Sequence, residues 1–143
     1  MVRSILAVFV GFVAVVVLSL GTDEAFHLLK IYPPWGEPMY QPSLNLLALS
    51  YRALFTVVGG YLTAWAAPHS PMRHVVIGAS IGLVIGVAGV VAAAAIGSLG
   101  PMWYPVAVAV TGPPCTVLGG ALSVRYQPCP SSAVVQRGPI GSA

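Results

Sequence analysis

Four apolar runs divide the chain, and the residues between them collect proline, glycine and charge. The first run, from about Ser4 to Leu20, carries no charge, and helix is expected to continue through Asp23 and His27. The second extends from about Leu44 to Ala67, the third from about His74 to Gly97, and the fourth from near Trp103 to Arg125. At a helical rise of about 1.5 Å per residue, each crosses or nearly crosses a hydrocarbon layer of about 30 Å. The pattern predicts an all-α membrane protein, a four-transmembrane-helix up-down bundle with helices over about 4–30, 44–67, 74–97 and 103–125 in one domain of residues 1–126. Residues 127–143 are small, polar and proline-containing, and are expected to form a disordered cytoplasmic tail. Arg3 followed by an apolar run, with Ser19 and Gly21 at cleavage-site spacing, is the pattern of a signal peptide; the length of the run favours a retained helix instead.

The breaks between runs have local causes. Pro33 and Pro34 lack a donor N–H, and the residue before each proline avoids the helical region, so Tyr32–Gly36 must end the first helix. Pro68 marks the end of the second. Gly112, Pro113 and Pro114 fall near the middle of the fourth and predict a kink there, with Thr111 and Thr116 expected to satisfy the carbonyls that the prolines free.

Composition sharpens this picture. Of 143 residues, 57% are hydrophobic and only 6% are charged, whereas soluble domains carry about a quarter charged residues. The net charge of +3 is scattered, forming no patch that nucleic acid would require. Arg3, Arg73, Arg125 and Arg137 flank one set of helix ends, which predicts that both termini are cytoplasmic. Tyr32, Trp35, Tyr40, Trp103 and Tyr104 would then form an aromatic belt at the outer interface. The expected surroundings are the lipid bilayer, other membrane proteins or a second copy of the chain. Cys115 and Cys129 have neither metal nor disulfide spacing.

Small residues supply a packing code. Gly78, Gly82 and Gly86 recur every fourth residue in the third run, and Gly59-Gly60 and Gly119-Gly120 lie in the second and fourth. Lipid gives no hydrophobic drive for helix association, so close backbone approach at such residues provides the contact. TVVGGYLT (Thr56–Thr63) and TVLGGALS (Thr116–Ser123) echo one another, which is compatible with two duplicated helical hairpins in the same orientation.

All three acidic residues, Asp23, Glu24 and Glu37, lie between Ser19 and Tyr40 with His27 and Lys30. Asp23, Glu24 and His27 fall at three- and four-residue spacing, so the imidazole can reach either carboxylate on one helix face. Glu37 and Tyr51 complete a candidate polar cluster. Two ligands on one turn are too few for a metal, and the simpler reading is a set of solvated interfacial side chains. No cofactor is expected. Arg52 lies well inside the second span, about 22 Å from its far end, and a lipid-facing charge there costs about 2 kcal/mol or more. It should turn inward and pair with Asp23, the nearest acid on the adjacent antiparallel helix.

SLGTD with His27, YPPWGEPM, Tyr51-Arg52, GGYLTA and PMRH resemble a family of small, uncharacterised four-helix bacterial inner-membrane proteins, with a looser likeness at GPMWYP and Pro114-Cys115. The resemblance implies the same architecture and transfers no activity, cofactor, partner or functional residue. Two functions fit the residues. One is a non-enzymatic accessory or scaffold subunit that packs through glycine-rich helix faces. The other is a small dimeric transporter or channel using Asp23, Glu24 and Arg52. No catalytic residues are expected, since no nucleophile lies beside a base.

Overall fold

The computed structural model describes residues 2–97 and 100–126, so the expected disorder of 127–143 lies outside the described residues. Four helices follow in order, α1 (Val2–Leu28), α2 (Pro42–Ala66), α3 (Pro71–Ile96) and α4 (Trp103–Tyr126). Each is long and apolar enough to cross a membrane, and together they form the helical bundle of a multi-pass membrane protein. Their outward faces are apolar as well; Val17, Val84 and Val110 are all more than half exposed. A helix that is hydrophobic all round is stable in lipid and not in water.

The helix ends follow from backbone chemistry. α2 and α3 each begin on a proline, Pro42 and Pro71, whose missing N–H costs nothing in a first turn. α1 stops earlier than the sequence implies, because Lys30 adopts a left-handed conformation (φ 56°). The chain then folds back, and the N–H groups of Ile31 and Tyr32 both donate to the Phe26 carbonyl. That reversal carries Tyr32 inward under the end of the bundle.

The helices form a ring in the order α1, α2, α4, α3, closed weakly where α3 meets α1; α1 and α4 make no contact. α2 and α4, which run parallel, share the most extensive contact. A Cβ on Gly60 would overlap the Thr116 carbonyl, and one on Gly119 the Val57 carbonyl, so the two glycine motifs press backbone on backbone. Gly59 instead faces Gly11 and Val15 of α1, and Gly120 faces Val75 of α3. A strict two-fold repeat would turn equivalent glycines to equivalent neighbours. Here Gly60 and Gly119 share the seam, so the echo is offset by one residue, or about 100° of helix rotation.

α4 remains one helix through Pro113 and Pro114. The two threonines correct the sequence expectation. Thr111 donates to the Ala107 carbonyl at 2.7 Å and Thr116 to that of Gly112 at 3.0 Å. The carbonyls that lose their helical donors are those four residues before each proline, on Ala109 and Val110. Each hydroxyl bonds the carbonyl four residues behind it, and neither freed carbonyl lies at that offset.

Candidate functional site

The loop-bearing end of the bundle, where α1 and α3 finish and α2 and α4 begin, gathers the polar side chains. Asp23 lies just over a turn before the end of α1 and is 6% exposed. Tyr51 and Arg52, consecutive on α2, reach its two oxygens from either side. The Tyr51 hydroxyl donates to Oδ1, and Arg52 Nη2 donates to Oδ2 at 2.5 Å. Each carboxylate oxygen thereby has a donor, and the guanidinium has its countercharge. Tyr32 extends the chain by donating its hydroxyl to that of Tyr51 at 3.3 Å. Phe26 sets both phenols in place, with its ring edge-on to Tyr32 at 5.2 Å and to Tyr51 at 5.8 Å. Burial pushes the Tyr32 phenol above its ordinary pKa.

From α4, Tyr104 brings its ring to 6.0 Å from the Arg52 guanidinium carbon, within range of a cation–π contact. Tyr32 and Tyr104 thus differ from the expected aromatic belt. Both turn toward the charged centre, because the reversal after α1 and the first turn of α4 aim them there. Asn45, buried at 2% exposure, was not singled out by sequence, although a lone asparagine in an apolar run was the available signal. Its Nδ2 donates to the carbonyls of Met39 and Gln41 at 3.0 Å each, fastening the loop to α2.

The other members of the expected polar cluster separate. His27 reaches neither carboxylate. Its ring stacks on Trp35 with centroids 4.1 Å apart, and its Nδ1 is buried without a partner. Glu24 points away and accepts from Trp35 Nε1 at 3.3 Å. Glu37 is exposed on the loop, its backbone N–H bonded to the Pro34 carbonyl at 3.0 Å. Of the cluster, Tyr51 alone joins the bridge. Among the described residues, no group of three or more His, Cys, Asp or Glu side chains is placed to hold a metal ion. The α3 ladder also divides. Gly86 lies against Ala109 and Gly78 against Val8, while a Cβ on Gly82 would have no neighbour within 4 Å.

A cavity of about 440 Å³ opens beside the bridge. Asp23 and Arg52 lie at its floor, Tyr104 and Ala93 belong to its far wall, and Pro34 and Trp35 come from the loop above. All four helices contribute to it. A second hollow, of about 720 Å³, lies on the other side of the stacked His27–Trp35 pair, but is lined by the end of α1 and the loop and does not reach the bridge. A third, of about 260 Å³, lies deeper, between Gly11 and Val15 of α1, Gly82 and Gly86 of α3, and the glycines and threonines of α2 and α4.

No family model, curated protein or solved structure matches this chain.

Proposed function

We propose that this is a non-enzymatic integral membrane protein, an accessory subunit that holds a guest in the cavity beside the Asp23–Arg52 bridge. Its location is a bacterial inner membrane, as the resemblance implies, with both termini on the cytoplasmic side, an orientation supported by arginines gathering at one set of helix ends. The observation that carries the function is the cavity itself. At about 440 Å³ it falls within the range of small-molecule sites, and it combines largely apolar walls with one convergent charged centre. Catalysis finds less support. Both oxygens of Asp23 are engaged, and His27 stacks on an indole with no nucleophile hydrogen-bonded to it.

Native mass spectrometry from mild detergent tests this reading. The wild-type chain should carry a bound small molecule or a stoichiometric partner, and Ala93→Trp, which fills the cavity wall, should lose it while remaining helical. A wild-type protein with neither would overturn the proposal.

One observation favours a second reading, the small transporter. The 260 Å³ cavity lies below the 440 Å³ one, with Thr56 a turn beyond Arg52 and Val108 a turn beyond Tyr104, so the bridge separates two stacked spaces. Glu24, turned toward Trp35, contributes to neither. Transport requires solute or proton flux in proteoliposomes that Asp23→Asn abolishes; its absence leaves the binding role.

A further inference from the structure

We infer that the 720 Å³ hollow at the end of α1 holds the head of a zwitterionic phospholipid, its phosphate beside Lys30 and its primary ammonium beside Glu24. This site is separate from the cavity beside the bridge and does not depend on how that cavity is used.

Depth places the hollow among lipid headgroups. At about 1.5 Å per residue, Glu24 stands about 32 Å along α1 from Arg3, so the two charges bracket a hydrocarbon layer of about 30 Å. Lys30 lies just past the helix, where its left-handed backbone turns the chain off the axis. Leu28 and Ile31 line the same hollow and are 74% and 43% exposed, and the exposed rings of Trp35 and Tyr40 border it as well. Such rings settle at the boundary between acyl chains and water. The hollow is thus amphipathic, with apolar surface for the glycerol end of a lipid and two charges for its head.

Charge decides the kind of head. Glu24 supplies a carboxylate to the lining and Lys30 an ammonium, and both side chains are exposed. They do not neutralise one another. Six residues apart, they fall outside the three- and four-residue spacing at which helical side chains meet, and among the described residues the Lys30 ammonium has no partner. Glu24 is half engaged, since Oε2 accepts from Trp35 Nε1 at 3.3 Å while Oε1 accepts from no described residue. An anionic head would meet Lys30 and be repelled by Glu24, and a cationic head would meet the reverse. A zwitterion answers both charges and leaves the hollow neutral, at a depth where unpaired charge is penalised. A primary ammonium also brings N–H donors for the free carboxylate oxygen, and a charge-assisted hydrogen bond of that kind is closed to a quaternary amine.

The test uses the full chain in mild detergent, with native mass spectrometry after addition of phosphatidylethanolamine, phosphatidylcholine and phosphatidylglycerol of matched acyl chains in equal amounts. The ethanolamine lipid is expected to be retained about fivefold over the other two, the size of one favourable exposed charge pair. Lys30→Gln should lower retention of all three lipids, and Glu24→Gln should leave the ethanolamine lipid no better held than the choline lipid. Because both side chains are exposed, both variants should keep the wild-type helix content and denaturation midpoint. Ala93→Trp, which fills the other cavity, should leave the preference unchanged; its loss there would overturn the assignment to this hollow. Equal retention of the glycerol lipid would overturn the zwitterionic head, and equal retention of the choline lipid the primary ammonium. Displacement by water-soluble glycerophosphoethanolamine as effective as that by the intact lipid would overturn the bilayer source. Retention and preference unchanged in both variants would overturn the site.

Discussion

The two halves of α2 are held by opposite means. In its first half, Tyr51 and Arg52 grip a carboxylate through two directed hydrogen bonds, the surroundings are aromatic, and a cavity stands alongside. Two turns further on, Gly59 and Gly60 admit neighbouring backbones so closely that a single methyl would not fit. The first half is specific and loosely filled, since directed polar bonds tolerate room around them. The second is filled and undirected, because dispersion needs contact everywhere along the stripe. A membrane protein gains rigidity from the second arrangement and room for a guest from the first.

This contrast breaks most sharply at the seam. Gly119→Leu drives a side chain into the Val57 carbonyl and is expected to cost at least about 3 kcal/mol, read as a lower denaturation midpoint in detergent. Gly82→Leu, with open space at its Cβ, should stay within about 0.5 kcal/mol of wild type. Equal losses from the two would mean that the seam is not the tight half.

At the loop end, Asp23→Arg or Arg52→Asp alone should cost about 3–5 kcal/mol by leaving like charges buried together. The double exchange should recover most of that loss in the same unfolding measurement, and a double variant as defective as the singles would disprove the pairing. Asn45→Ala removes two bonds to the loop and should cost about 1–2 kcal/mol, with faster hydrogen exchange confined to the segment around Met39 and Gln41.

Tyr32→Phe should cost about 1 kcal/mol at neutral pH. It carries a pH signature. Burial raises the folded-state pKa of Tyr32 above 10.0, so the folded protein holds its proton where the unfolded chain releases it. That contribution is complete below pH 10 and declines as pH rises beyond it. Thermal midpoints measured from pH 9 to 11 should fall less steeply in Tyr32→Phe than in wild type.

The spans were readable in the sequence because lipid imposes a length and penalises charge, and four long apolar runs, only the second with a charge well inside it, meet those conditions. Asp23 and Arg52 were brought together on paper by depth alone, since an arginine that far into a span needs a partner. Other features had no such compulsion behind them. Tyr32 reads equally well as a belt residue or a buried one until the left-handed turn at Lys30 is known. The glycine pairs declared that backbones would approach but not which ones, and the α2–α4 seam joins segments about sixty residues apart in the chain. His27 had suitable spacing toward two carboxylates and took an indole face instead, because the loop that delivers Trp35 lies outside any helical periodicity.

The ring order has a bearing on biogenesis. Because α2 finds its principal partner in α4, two helices later in the chain, the tight seam cannot form until α4 has been inserted. Until then α1 and α2 have chiefly each other, and Asp23 and Arg52 lie on those two helices. The first hairpin can therefore enter the bilayer with its two deepest charges already cancelled, its α4-facing glycines waiting open for a helix still on the ribosome.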